Sequence, residues 1–394
     1  VPFCEVLCTF CGCNTVITRD HGREGPYVDL VLAELDAYLH RIDGLSGQAV
    51  RQLHLGGGTP TFLSANALGR LIDGLRARLP ARAEAFEGSV EVDPRVTNAH
   101  QLEVMRERGI TRLSLGVQDV DPEVQRLINR VQPITMTAEL CRAARQLKYE
   151  SINFDLIYGL PGQTPASMSE LVAQVLDLAP DRLAVYSFAL VPWIKPAQRK
   201  FRDDQVPTGA DKRLLYETVR GPLLDAGYIE IGLDHFAKPT DALAHAAASG
   251  GLHRNFMGYT DVRTSVLLGL GVSAISETPD CYHQNEKVVT MYERRVRAGE
   301  IPTLRGHLLS DEDRRRRQQI AQLMTRFGVH LNAREVVDAP HVLESLMRDG
   351  LVEIHDDLLT ILPEGRPFLR NAASFFDEYF RREPPSGPTY STSA

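Results

Sequence analysis

Cys4, Cys8 and Cys11 lie in the run Val1-Pro2-Phe3-Cys4-Glu5-Val6-Leu7-Cys8-Thr9-Phe10-Cys11-Gly12-Cys13-Asn14, a C-x3-C-x2-C spacing confined to one short loop. Such a loop can ligate three corners of a four-iron cluster, so the chain must fold in a way that anchors and shelters it. Electron-transfer clusters are closed by four thiolates; three leave one iron open to bind another group. Structural zinc wants four N/S ligands, usually from two separated pairs, and no second pair follows. Disulfides are disfavoured because Cys141 and Cys281 are single and widely spaced. Cys13, two residues beyond Cys11, is too near it to span a cube face and is expected to lie beside the cluster without ligating it.

Composition removes other classes. With 394 residues the chain can bury a large core, and 43% hydrophobic against 24% charged residues is the balance of an ordinary soluble globular protein. No apolar run approaches the ~20 residues that cross a bilayer. Neither end reads as a targeting peptide, and the expected compartment is the reducing cytoplasm. A net charge of -7 argues against nucleic-acid binding, which leaves a basic footprint. The one basic run, Arg314 to Arg317, is flanked by Asp311, Glu312 and Asp313 and reads as a solvated helix face. Val1-Pro2-Phe3 reads as the end of a strand feeding the cysteine loop, so the natural N-terminus is expected to lie upstream.

From the loop onward, apolar runs at 52–55, 89–92, 112–117, 152–157, 183–188 and 228–232 alternate with amphipathic stretches at 26–41, 64–78, 99–108, 137–148, 165–178 and 210–226. This is the pattern of repeated β-α units around a parallel sheet. About six such units predict an α/β fold curled into a partial (β/α)6 barrel, with its chemistry at the C-terminal strand ends. Ser64 is the expected N-cap of one helix, and Ser167-Met168-Ser169-Glu170 reads as a capping box at the start of another. Past about residue 300 the pattern becomes a helix at 310–327, a helix near 341–348, a hairpin with arms 349–354 and 358–362, and a last helix at 363–381. The expected organisation is a catalytic domain over 1–300, a smaller, mostly helical domain of winged-helix outline over 301–383, and a disordered Pro/Ser/Thr-rich tail at 384–394.

The strand ends are polar or glycine-rich. Leu55-Gly56-Gly57-Gly58-Thr59-Pro60-Thr61 follows one apolar run, and its glycines let backbone groups approach a ligand closely. Glu91-Val92-Asp93-Pro94-Arg95 ends the next, Gln118-Asp119 the one after, and Asp155 sits within Phe154 to Gln163. Singly, each acidic residue is more often a cap or a surface charge; on successive strand ends of one sheet they form a set.

The cysteine spacing resembles that of the radical S-adenosylmethionine (SAM) enzymes, whose open iron is chelated by SAM, and the Gly-Gly-Gly-Thr segment resembles their Gly-Gly-Glu element. Over nearly its whole length the chain resembles one family of that superfamily, the oxygen-independent coproporphyrinogen III oxidases. The carrying segments are Pro2 to Asn14; Gly56 to Thr61; Arg112 to Asp119; Leu127-Ile128-Asn129-Arg130; Val191-Pro192-Trp193; Gly232-Leu233-Asp234-His235-Phe236-Ala237; Arg254 to Tyr259; and Leu268 to Ile275. The resemblance implies that Cys4, Cys8 and Cys11 ligate a [4Fe-4S] cluster and that Cys13 does not. It implies one SAM contacted by Gly57, Glu91, Ala189 and Ile275, and a second SAM contacted by Phe10, Gly58, Thr59, Gln118, Arg130 and Asp155. A tyrosine that serves the family's site just upstream of the cluster strand would fall before Val1.

The implied reaction is cleavage of SAM, by one electron from the reduced cluster, to methionine and a 5'-deoxyadenosyl radical; hydrogen abstraction from a substrate propionate; and one-electron oxidation of the resulting radical with loss of carbon dioxide to leave a vinyl group. Performed twice, it converts coproporphyrinogen III into protoporphyrinogen IX. A low-potential electron donor is implied as a partner, and a monomer is the default expectation. No side-chain acid or base is required, so none is named as catalytic. Arg19, Arg23, Lys195 and Arg254 are candidates for the substrate carboxylates, since bidentate Arg contacts suit them. Two other readings share the superfamily. A haem-trafficking chaperone usually lacks the cysteine two residues after the third ligand and often carries an aspartate beside that ligand, against Cys11-Gly12-Cys13 here. A haem-degrading methyltransferase is disfavoured by the Val-Pro-Trp and Asp-His-Phe-Ala segments.

Overall fold

The computed structural model describes residues 1–79 and 82–382; the tail expected at 384–394 lies outside the described residues. Four of the expected strands, Val50–Leu55, Arg82–Val92, Arg112–Gln118 and Ser151–Tyr158, hydrogen-bond side by side in that order, all parallel. Side chains alternate across a strand: Leu113, Leu115 and Val117 are buried, while Arg112, Ser114 and Gln118 are only partly so. Register pairs Glu91 with Ser114, Ser114 with Asn153, and Gly116 with Asp155, which sets the polar residues on one face. Beyond Gly116 the ladder slips, Gln118 pairing with Leu156, and Gln118 adopts a left-handed φ of 67°. Bulges of this kind re-aim side chains at functional sites.

The helices Glu24–Arg41, Ala65–Arg78 and Ala99–Glu107 bury Val28, Leu35, Leu68, Ile72, Leu102 and Met105. Ser64 caps the second, accepting the Ala67 N–H at 3.3 Å, and Asn98 with Gln101 forms a capping box at the third. The helix Pro165–Leu178 is capped differently from expectation. Thr164 accepts the Ser167 N–H at 3.1 Å while Ser167 Oγ accepts the Thr164 N–H at 3.0 Å. Pro165 takes the first helical position, where its missing N–H costs nothing, so the box closes one turn earlier than Ser167–Glu170.

The chain divides into two units. One comprises Val1–Leu156, Glu170–Leu183 and Thr264–Leu308; the other comprises Ile157–Ser169, Ala184–Arg263 and the described residues from Leu309 on. The first unit also contains an antiparallel sheet of Ile275–Glu277, Cys281–Asn285 and Thr303–Leu308. In the second, the last expected parallel strand is Ile229–Ile231, and it runs antiparallel to His235–Ala237. The three intervening residues are too few for a crossover, which takes a dozen or more. Gly232 makes the turn at φ 61°, where a Cβ would strike the Tyr259 ring.

Toward the C-terminus, Ser310 and Asp313 form a capping box on the helix Asp311–Arg326. The hairpin Val352–His355 with Leu358–Ile361 gains a third strand, Gly328–His330, and a helix Ala333–Val342 precedes Glu344–Arg348. Neither the third strand nor the Ala333–Val342 helix was expected from the sequence pattern. The single helix expected at 363–381 is instead broken into the 3-10 turn Pro363–Phe368, the helix Leu369–Ala373, the 3-10 turn Ser374–Phe376 and the helix Glu378–Arg382. Pro367 lacks an amide donor and Gly365 is a poor helix former, so the amphipathic pattern is not one continuous rod. Leu323, Val329, Leu359, Leu369, Phe375 and Phe376 form this region's core. Its basic run is a paired helix face: Arg314 with Asp311 at 2.5 Å, and Arg315 and Arg316 with Glu312 at 2.6 Å each.

Candidate functional site

The cysteine loop is pinned at its base and its far side. Phe3–Cys4 pairs in parallel with Val16–Ile17, and Phe3 is buried against Tyr27 and Phe62. The Thr9 N–H donates to the Ile128 carbonyl at 2.9 Å, and Asn129 Nδ2 to the Leu7 carbonyl at 2.8 Å. The glycine run expected to admit a ligand also admits the chain's own backbone. The Gly58 N–H donates to the Val1 carbonyl at 2.7 Å, and a Cβ on Gly58 would lie 3.0 Å from the Pro2 carbonyl. Gly57 adopts φ 114°.

Each of the three sulfurs faces a polar hydrogen. Cys4 Sγ lies 3.2 Å from Thr59 Oγ1. Cys8 Sγ accepts from Arg95 Nη2 at 3.4 Å and from Arg130 Nη1 at 3.7 Å. Cys11 Sγ accepts the Cys13 N–H at 3.4 Å. Burial pushes the Cys4 thiol up to about 11, with Cys11, Cys8 and Asp93 adding to the rise against the Thr59 hydrogen bond. Grouped thiolates therefore need positive charge between them, which is what iron supplies, and the donor set fits a cluster. None of the six cysteines, all of them among the described residues, is in a disulfide. Among the described residues, no three or more His, Cys, Asp or Glu groups converge on a single metal ion; ligands to the corners of a cube are spread more widely than that.

Beneath Cys8 lies a compact charge network. Arg95 chelates Asp93, with Nη2 to Oδ2 at 2.6 Å, and Arg130 reaches the same oxygen at 3.1 Å. Burial opposes charge on Asp93, but Arg95 and Arg130 hold its carboxyl below the usual range. Arg130, 7% exposed, also donates to the Gly116 carbonyl at 2.7 Å. Glu91 accepts the Gly57 N–H at 3.1 Å and stands 3.5 Å from His54 Nε2, whose Nδ1 contacts Ser89 Oγ at 2.9 Å. Burial raises the Glu91 pKa, and His54 and Gly57 more than offset that, so Glu91 remains an anion.

The structure thus brings Thr59, Arg130, Gly57, Gly58 and Glu91 to the cysteine loop. Phe10 lies within the loop and is partly buried. Gln118 sits at the bulge beside Gly116. Asp155 is one strand further on, accepting from Ser114 Oγ and Asn153 Nδ2 at 2.9 Å each. Ile275 opens its strand where a Cβ on Gly269 would come within 2.4 Å of its carbonyl oxygen. The loop before Ile275 is tied down by Glu34, fully buried, which accepts from the Gly271 N–H at 2.7 Å and from Asn285 Nδ2 and the Tyr292 hydroxyl at 2.6 Å each. In the second unit, the Ala189 carbonyl accepts from Gln198 at 3.1 Å, and the Arg254 guanidinium lies 5.3 Å over the Tyr259 ring. Arg23 stands 3.7 Å from Asp20. A cleft of about 560 Å³ in the second unit is lined by Glu312, Arg315, Arg316, Glu335 and Glu378 among others, and these five charges pair with one another.

Sequence reasoning gave no role to His54, Asp93, Arg95 or Glu34. Asp93 and Arg95 stand in the same strand end as Glu91, a usable signal. Glu34 has none, because its three partners are more than 200 residues away.

The model of the radical SAM superfamily matches residues 1–175. The chain is 40% identical over 393 residues to the oxygen-independent coproporphyrinogen III oxidase of Escherichia coli K12, covering 97% of this chain and 85% of that one. It is 39% identical to that of Pseudomonas aeruginosa over 391 residues, covering 96% and 84%. It is 36% identical to that of Synechocystis over 399 residues, covering 97% and 84%. Among solved structures, it matches the E. coli coproporphyrinogen III oxidase, a radical SAM enzyme, with TM-score 0.90 and 40% identity, over 96% of this chain and 89% of that one.

Proposed function

Because the chain belongs to the oxygen-independent coproporphyrinogen III oxidases of the radical SAM superfamily, we propose that it oxidatively decarboxylates two propionates of coproporphyrinogen III to vinyl groups, giving protoporphyrinogen IX. The observation that carries the proposal is the three-cysteine loop, with a polar hydrogen set against each sulfur, seated beside Gly57, Thr59 and Glu91. The chaperone reading has no support among the relatives matched, which are named as oxidases.

Cys4, Cys8 and Cys11 would hold the cluster. When bound, the cluster and SAM supply the radical that takes hydrogen from the propionate. Glu91, held ionised, suits the ammonium group of a SAM, with Gly57, Ala189 and Ile275 as its further contacts. We extend the proposal to a second SAM at Phe10, Gly58, Thr59, Gln118, Arg130 and Asp155. Arg130 would serve two ends, since its guanidinium also engages Cys8 and Asp93. Arg254, whose buried Nε has no hydrogen-bond partner, is the foremost of the four candidates for a substrate carboxylate. A low-potential electron donor, a monomeric state and a cytoplasmic location complete the reading; no described helix is long and apolar enough to cross a membrane.

The test is an anaerobic assay of the iron-reconstituted protein with coproporphyrinogen III, SAM and dithionite. Protoporphyrinogen IX and 5'-deoxyadenosine are the expected products. SAM cleavage with no vinyl product would overturn the substrate assignment.

A further inference from the structure

We propose that Arg95 is a positioning residue that sets the reduction potential of the cluster through the Cys8 sulfur, with Asp93 as its counterweight. The inference rests on the cluster reading above. Arg95 Nη2 donates to Cys8 Sγ at 3.4 Å, while the same guanidinium is fixed by Asp93, with Nε to Oδ1 at 3.0 Å and Nη2 also to Oδ2 at 2.6 Å. The Asp93 Oδ1 also accepts the Arg95 N–H at 3.0 Å, closing a ring within the Asp93-Pro94-Arg95 turn. The side chains are 17% and 11% exposed, so solvent screens them weakly. Arg130 reaches both Cys8 and Asp93 from the other side, leaving two cations and one anion against a single ligand sulfur.

Hydrogen bonds and net charge at the sulfurs are among the terms that set cluster potentials. On reduction one electron from the donor enters the four-iron core; no covalent bond forms or breaks and no proton moves. The added negative charge is shared with the thiolates, so a guanidinium at Cys8 binds the reduced form more tightly than the oxidised form. Arg95 therefore raises the potential, and Asp93 lowers it.

The experiment is an EPR-monitored redox titration of the anaerobically reconstituted protein, without SAM or substrate, alongside iron content. Arg95→Gln is expected to make reduction about tenfold less favourable, a shift of ~59 mV downward for one electron. Asp93→Asn is expected to shift the potential upward. Opposite signs with a full iron complement support the proposal; a purely structural role in the turn would not produce them. Unchanged potentials, or shifts of the same sign, overturn it. If Arg95→Gln fails to load iron, the sign of the Asp93→Asn shift decides. Failure of the wild-type protein to assemble a four-iron cluster would overturn the functional reading instead, and iron content separates the two cases.

Discussion

Arg130 and Asp155, both proposed above to contact a second SAM, have different surroundings, and they separate in their expected effects. Arg130 donates to Cys8 and Gly116, whereas Asp155 is held by Ser114 and Asn153. Asp155→Ala should therefore retain full iron and lose product formation, while Arg130→Ala should lose both product and part of the iron. Iron content and turnover measured on the same preparations check this; normal turnover in both variants would remove them from the site. Glu34 carries a second expectation at this scale. Burial lifts its carboxyl to about 7, against three hydrogen bonds that lower it. Between the ordinary carboxylate pKa and that value the folded state keeps a proton that the unfolded state has lost, so this residue's contribution to stability falls as pH rises through the window. The loss is on the order of 3 kcal/mol. Glu34→Gln cannot titrate, so the stability of wild type relative to this variant should drop by about that amount between pH 5 and pH 8. A pH-independent difference in urea unfolding would refute it.

At the scale of the element, the cysteine loop acts as a unit, because its three sulfurs share one site and each has a different polar neighbour. Cys4→Ser, Cys8→Ser or Cys11→Ser should each abolish SAM cleavage. Cys13→Ser should still assemble four irons, since the Cys13 backbone N–H that Cys11 Sγ accepts survives the substitution, although the Cys13 thiol, which also hydrogen-bonds to Cys11, is lost. An iron-free Cys13 variant would make that residue a ligand. The helix Pro165–Leu178 offers a test away from the chemistry. Thr164→Ala removes the hydroxyl that accepts the Ser167 N–H and should cost about 1 kcal/mol, read as a shift in thermal midpoint with iron content unchanged. Much of this scale was legible in advance: apolar runs bounded by glycine and acidic residues became strands within two residues of their expected limits, except that Arg82–Val92 starts well before the expected 89, because alternation and helical periodicity are local properties. The errors have local chemistry too, as with the proline at 165 that moved a cap and Pro367 and Gly365, which broke the last helix.

For the whole molecule, the expected consequence of removing iron follows from where its ligands sit. All three cysteines, Arg95, Arg130 and Glu91 belong to the first unit, and a group that binds only the folded state stabilises what holds it. Chelation should raise amide hydrogen exchange in segments 1–18 and 89–132 while leaving protection of the Leu323–Phe376 core unchanged. Equal loss of protection in both would contradict that placement.

By itself the sequence determined the cysteine spacing and the alternation of apolar runs and amphipathic stretches, and so the fold class and the capacity for a three-thiolate cluster, because each is written in residues a few positions apart; the reaction itself was implied by the resemblance of those segments to a known family. Tertiary structure alone decided what stands behind those residues. Cys8 meets Arg95 and Arg130 from 87 and 122 positions away, and Glu34 ties down a loop 237 positions distant. Burial and charge act through space, and only packing brings such groups within hydrogen-bond range.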